Sequence, residues 1–220
     1  KELYPDSQIT IYEKNDTISF LSCGIALSVG NVVTEPEKLF YNSPDNLASQ
    51  GIITNMKHEV LDIDFDNKKL SVKNLITNEI IEDNYDKLVL TLGSWPIVPK
   101  FEGGNLENIL LCKNYDHAKT IIEKSKDAKN VVVIGAGYIG VELAEAFEMK
   151  DKNVTLIDAE NRIMAKYLDK EFTDMAEEEF TKRGVNLVLG QKVQKFEGTD
   201  NVSKVVTDKG EFEADLVVLC

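Results

Sequence analysis

One stretch, Asn130 to Asp158, narrows the folding options more than any other part of the chain. Val131-Val-Val-Ile134 is a short all-apolar run, the pattern of a strand covered on both faces. Gly135-Ala-Gly137-Tyr-Ile-Gly140 follows directly, and Ile139, Leu143, Ala146 and Phe147 then recur at the spacing of one helix face. Val154-Thr-Leu-Ile157 reads as a second apolar strand and ends in Asp158. Strand, glycine turn, helix, strand and acid in that order make a complete βαβ unit of the dinucleotide-binding kind. The chain is therefore expected to be α/β with a mostly parallel sheet.

Each glycine has a physical job in such a turn. Gly135 permits the tight bend, Gly137 lets the backbone approach a pyrophosphate, and Gly140 lets the helix lie close to the strand. Free N–H groups at Tyr138 and Ile139, at the positive end of the helix dipole, would meet the phosphates. Asp158 would accept hydrogen bonds from the adenine ribose hydroxyls and repel a 2′-phosphate, which favours NAD over NADP. Arg162 complicates that preference, because a nearby arginine can accommodate the same phosphate.

The pattern occurs twice. Gln8-Ile-Thr-Ile-Tyr-Glu13 matches Asn153-Val-Thr-Leu-Ile-Asp158, and Asp86-Lys-Leu-Val-Leu-Thr-Leu-Gly93 is echoed by Ala214-Asp-Leu-Val-Val-Leu-Cys220. Between them lie β segments expected at Glu59–Phe65, Lys69–Lys73 and Glu79–Glu82, and again at Gln191–Glu197, Ser203–Thr207 and Glu211–Glu213. The expectation is two tandem Rossmann-like modules with inserted β segments, residues 1–100 and 101–220, joined at the proline-bearing Ser94-Trp-Pro-Ile-Val-Pro99. The first module's opening strand and glycine turn are expected before residue 1, and the second module's end after residue 220. Lys1-Glu-Leu-Tyr-Pro5 reads as the tail of a helix and its stop. A helix is expected from Tyr115–His117 to about Asp127, with Asp116 as its N-cap. Glu13, by analogy with Asp158, would hold the ribose of a second dinucleotide. Two such sites in one chain suggest electron passage from a nicotinamide to a flavin.

Composition removes other classes of function. The hydrophobic share of 43% suits a packed core and excludes a largely disordered chain. With 25 basic against 38 acidic residues, the net charge of −13 repels phosphate backbones and anionic headgroups, so neither nucleic acid nor a membrane is an expected partner. No apolar run approaches the ~20 residues of a membrane span and no signal peptide is recognisable, so a cytoplasmic location is expected. Three cysteines without a CxxC pair, and two histidines, supply no metal site.

Cys23 lies in Ser19-Phe-Leu-Ser-Cys-Gly-Ile-Ala-Leu27, among small residues and ahead of an apolar stretch able to start a helix. A helix N-terminus favours the thiolate. Ser28 stands where a dithiol enzyme would want a second cysteine, so Cys23 would work alone, cycling between thiolate and sulfenic acid. A small buried packing residue is the equally weighted alternative. Cys112 and Cys220 read as packing residues, and His58 and His117 as structural or solvated.

Ser-Phe-Leu-Ser-Cys23-Gly, then Thr91-Leu-Gly-Ser94-Trp-Pro-Ile-Val-Pro99, then Gly-Ala-Gly-Tyr138-Ile-Gly-Val-Glu142 together resemble the single-cysteine flavoprotein reductases. These are the NADH oxidases, NADH peroxidases and coenzyme A-disulfide reductases of the pyridine nucleotide–disulfide oxidoreductase class. The Cys-Gly-Ile-Ala-Leu context is most similar to the water-forming NADH oxidases. The resemblance implies FAD in the first module, NAD in the second, and homo-oligomerisation through a C-terminal domain outside this chain. It implies Glu13 at the FAD ribose, Val60 near the adenine, Thr91, Leu92, Gly93 and Ser94 along FAD, and Lys113 where a basic residue meets the cofactor. On the nicotinamide side it implies Tyr138 as an aromatic gate, Glu142 near the nicotinamide and flavin, and Asp158 and Tyr167 flanking the adenosine. The implied reaction is hydride transfer from NADH to FAD and reduction of O2 to water, with Cys23 passing through sulfenic acid. Peroxide or a disulfide as the acceptor is the alternative within that class. A nucleotide-binding fragment or redox sensor without turnover is the alternative outside it.

Overall fold

The structure is a computed structural model that describes residue 1 and residues 3–220. Glu2, inside the segment read as a helix tail, lies outside the described residues. The chain runs through β1 (Ile9–Glu13), a 3-10 turn at Ser22–Gly24 leading into α1 (Ile25–Val29), a second 3-10 turn at Pro36–Leu39, and α2 (Pro44–Ser49). Four strands follow: β2 (Ile52–Met56), β3 (His58–Asp64), β4 (Lys69–Asn74) and β5 (Ile80–Asn84). Next come β6 (Ile109–Leu111), α3 (Tyr115–Ser125), β7 (Asn130–Ile134), α4 (Tyr138–Glu148), β8 (Asn153–Asp158), α5 (Lys170–Lys182) and β9 (Asn186–Leu189). The last strands are β10 (Val193–Gly198), β11 (Val202–Thr207), β12 (Glu211–Glu213) and β13 (Leu216–Leu219).

Two compact units result. The first comprises Lys1–Leu21 and Glu37–Ser94, the second Ser22–Pro36 and Trp95–Cys220. The segment carrying Cys23, expected in the first module, thus groups with the second unit. The reason is packing: Ile25 and Val29 of α1 are buried, and α1 contacts α3 and α4.

In the first unit β1 and β2 pair in parallel from Ile9↔Ile52 to Glu13↔Met56, and β3, β4 and β5 form an antiparallel meander. The Ser43 hydroxyl accepts from the Asn46 N–H at 3.2 Å and Pro44 opens α2, a cap-then-proline start. The Tyr12 hydroxyl on β1 donates to the Asp83 carboxylate on β5 at 2.6 Å. Burial, the hydrogen bond and the negative charge of Asp83 together push the phenol up to about 12.

The second unit is built on a five-stranded parallel sheet in the order β6-β13-β7-β8-β9. Successive side chains on a strand point to opposite faces. Val132 and Val217 therefore meet Phe196 and Val205 of the antiparallel β10-β11-β12 sheet in one buried cluster, while Val133 meets α4. With both faces covered, β7 can be apolar at every central position, as its sequence is. Phe147 of α4 has no exposed surface. Phe147→Ala is expected to destabilise the protein by about 3–5 kcal/mol, because the void cannot collapse against the sheet. Thermal or urea unfolding measures it, and a loss well below that range would mean α4 is free to slide inward.

The internal repeat is visible in three dimensions. β1 and β2 pair in parallel and lead into the β3–β5 meander; β8 and β9 do the same and lead into the β10–β12 meander. Three local expectations change. Residues 86–93 form no strand, and Val89, Leu90 and Leu92 are exposed, whereas the echoing β13 lies between β6 and β7 and bonds to both. An apolar strand pattern needs a neighbouring strand to satisfy its amides, and among the described residues no strand pairs with residues 86–93. The N-cap of α3 is Asn114, whose side chain accepts from the His117 N–H at 2.9 Å, and Asp116 sits inside the first turn. Ile139 is exposed on the opening turn of α4, unlike Leu143, Ala146 and Phe147, which are buried. Among the described residues no helix is long and apolar enough to cross a membrane.

Candidate dinucleotide and thiol site

The glycine turn sits at the carboxyl end of β7, where β8 also ends. Gly135 has φ of +104°, and a methyl there would lie 2.6 Å from the Cys220 carbonyl oxygen. At Gly140 a methyl would come within 1.7 Å of the Gly135 carbonyl oxygen, so α4 approaches the turn this closely only because residue 140 lacks a side chain. Gly137 caps α4 in extended conformation, and no acid occupies the first turn of the helix to compete with an anion. The cradle expected at Gly135, Gly137, Tyr138, Ile139 and Gly140 therefore fits a pyrophosphate.

Asp158 closes on that turn directly. Its Oδ2 accepts from the Ala136 N–H at 2.5 Å and its Oδ1 from the Glu160 N–H at 2.7 Å. A carboxylate has roughly four acceptor sites, so both oxygens retain capacity for hydroxyl donors. The loop after β8 brings Tyr167 against Tyr138, with ring centroids 4.5 Å apart and planes tilted by 45°. A Cβ built on Gly137 would lie 3.7 Å from the Tyr167 ring. Asp158, Tyr138, Tyr167 and the glycines are thus one constellation. Glu142 follows on the exposed side of α4.

Cys23 is exposed in the 3-10 turn ahead of α1, on backbone anchored by buried Ile25 and Val29. Ser28 is buried in α1, its hydroxyl without a hydrogen-bond partner. Cys112, just after β6, is buried. Burial pushes its thiol up to about 11, the Glu142 carboxylate adds to the rise, and the Lys113 ammonium opposes it. A thiol raised that far stays protonated near neutral pH, and the thiolate is the reactive form. Iodoacetamide at pH 8 is expected to alkylate Cys23 and spare Cys112 until the protein is unfolded. Peptide mass mapping checks this, and equal labelling of the two would contradict it.

The remaining candidates lie in the first unit. Glu13 ends β1, where its Oε1 accepts from the Asn15 backbone N–H at 2.8 Å and side-chain amide at 2.6 Å. Val60 pairs with Val72 in the meander. Thr91, Leu92, Gly93 and Ser94 follow an exposed course without helix or strand. The histidines read as structural: His58 Nδ1 lies 2.8 Å from the Met56 carbonyl, and His117 packs edge-on to Trp95 at 5.5 Å. Burial holds His117 below its ordinary value, against the opposing Asp116 charge. No group of side chains among the described residues is arranged to hold a metal.

Two contributors escaped sequence reasoning: the Ala136 N–H that pins Asp158, and the carbonyls that engage Arg162. Neither has a side-chain signature. The Asn114 cap did have one, an asparagine three residues before His117 at a helix start.

The family model for pyridine nucleotide-disulphide oxidoreductases matches residues 4–220. The chain belongs to that family. It is 55% identical over 219 residues to an NADH oxidase of Enterococcus faecalis, covering 99% of this chain and 49% of the relative. A solved water-forming NADH oxidase from Lactobacillus brevis, bound to NADH, superimposes with a TM-score of 0.95 at 48% identity, over 100% of this chain and 49% of that one. An NAD(P)H coenzyme A polysulfide/persulfide reductase of Pyrococcus horikoshii is 38% identical over 222 residues, 100% of this chain and 48% of that protein. The chain spans about half the length of these relatives.

Proposed function

We propose that the protein carrying this chain is an FAD-dependent NADH oxidase that reduces O2 to water. The observation that carries the reading is the Asp158 carboxylate pinned to the glycine turn beside the Tyr138–Tyr167 pair, in a chain 55% identical to an NADH oxidase. In this proposal the turn and the start of α4 hold the pyrophosphate, and Asp158 binds the adenine ribose. Tyr138 covers the nicotinamide end, Glu142 borders it, and Tyr167 flanks the adenosine. In the first unit Glu13, Val60 and Thr91 to Ser94 would bind FAD. FAD, when bound, supplies acceptance of the hydride and its onward passage to oxygen. Cys23 is the thiolate that reduces peroxide: its sulfur gains one oxygen as sulfenic acid, and the other oxygen leaves as hydroxide, protonated to water. Electrons from a second NADH return the sulfenic acid to thiolate and release that oxygen as water.

The test is the ratio of NADH to O2 consumed, with peroxide assayed alongside. Two NADH per O2 without peroxide is the expected result, from the stoichiometry of four-electron reduction. The Pyrococcus horikoshii relative supports a second reading with a sulfur acceptor; negligible O2 uptake, with reduction of a coenzyme A disulfide or persulfide, would establish it in place of the first. A cytoplasmic homo-oligomer belongs to the same proposal, and light scattering measures its size.

A further inference from the structure

The loop from β8 to α5 carries Arg162, the residue that could have served a 2′-phosphate. Its guanidinium is engaged within the loop. Nη1 donates to the Leu168 carbonyl at 2.8 Å and lies 3.3 Å from the Thr173 hydroxyl, while Nη2 donates to the Ala165 carbonyl at 3.0 Å. Thr173 is fully buried, and its own hydroxyl proton goes to the Lys170 carbonyl at 3.0 Å, leaving a lone pair for Arg162. Arg162 thus spans both sides of the turn that presents Tyr167. The near end of that turn is tied separately. The Met164 N–H donates to the Ala136 carbonyl at 2.7 Å, the Ile163 N–H to the Glu177 carboxylate at 3.0 Å, and Ile163 is buried. Met164 adopts a φ of +47°, a conformation that a side chain keeps only when its surroundings enforce it. Beyond Met164, the Tyr167 N–H to Met164 carbonyl bond of 2.8 Å and the Arg162 fork hold the loop.

We propose that Arg162 is a positioning residue of the dinucleotide site, a strut that holds Tyr167 against Tyr138 and over Gly137, and not a phosphate receptor. The proposal rests on the reading of that site as one for NADH. To reach a phosphate the guanidinium would have to abandon two carbonyls and a buried hydroxyl, leaving them unpaired. A lysine ammonium lacks the planar fork that reaches Ala165 and Leu168 together, so Arg162→Lys should fail as a strut although it keeps the charge.

The experiment uses the flavin-loaded protein carrying Arg162→Gln or Arg162→Lys. The first readout needs no nucleotide: trypsin cleavage after Lys166, an exposed residue on the same loop, with sites identified by mass spectrometry. Both variants should be cut there about 10-fold faster than wild type while cleavage elsewhere is unchanged, since local opening sets the rate. The second readout is kinetic. In both variants KM for NADH should rise about 10-fold with kcat within about twofold, and the ratio of kcat/KM for NADPH over NADH should stay constant. Wild-type Lys166 cleavage and wild-type KM in Arg162→Lys would overturn the strut. So would a selective loss of NADPH use. If Arg162→Gln is cut throughout, it has unfolded, and the conservative Lys variant decides. A wild type that neither binds nor oxidises NADH would overturn the functional reading, while its Lys166 cleavage rates would still judge the strut.

Discussion

For the proposed NADH oxidase, Cys23→Ser is expected to turn water formation into peroxide formation: NADH is still consumed with O2, and about one peroxide accumulates per NADH. A serine hydroxyl is not ionised near neutral pH and does not carry the extra oxygen as a sulfur does, so peroxide would leave unreduced. Neither other thiol can substitute readily. Cys112 is buried and held in its protonated form, desolvation raises the Cys220 thiol as well, and Ser28 stands where a partner thiol would lie on α1. The substitution is nearly isosteric at an exposed position, and α1 is anchored by Ile25 and Val29, so the fold should be unaffected. Oxygen electrode traces with and without catalase give the measurement. Unchanged water formation would remove Cys23 from the reaction.

Asp158→Ala is expected to lower kcat/KM for NADH about 100-fold and that for NADPH much less, because relief of the 2′-phosphate repulsion offsets the damage to the turn, so that the preference between them collapses. Two effects add. Charge-assisted bonds to ribose hydroxyls are each worth about 1.5–3 kcal/mol, and at 1.4 kcal/mol per factor of ten their loss gives that magnitude. The Ala136 and Glu160 N–H groups also lose the acceptor that shapes the turn. Asp158→Asn separates the two, because its one carbonyl oxygen can retain one of those N–H bonds. Steady-state kinetics with both nucleotides decide the matter; an equal loss for NADH and NADPH would show that Asp158 shapes the turn without reading the ribose.

Much of this candidate site was legible in the chain because the geometry of a βαβ glycine turn is local. Val131 to Asp158 contains the strand, the glycines, the helix and the acid, and the fold places them as that spacing requires. The β meanders were legible for the same reason, since their strands pair with sequence neighbours. Residues 86–93 were misread because their apolar alternation specifies a strand only when partners flank it, as β6 and β7 flank β13. Ile139 was misread because helical periodicity does not reveal that the first turn of α4 stands beyond the sheet that buries Leu143 and Phe147.

The sequence by itself determined the α/β class, the duplicated unit, the cradle at Gly135 to Gly140 and the acid at Asp158. All follow from steric and hydrogen-bonding demands satisfied within a short stretch of chain. Only the tertiary structure decided that the Cys23 segment groups with the second unit and that Arg162 bonds loop carbonyls. Those depend on which distant groups a residue meets. Side-chain identity states what a residue can bond to; packing selects the partner.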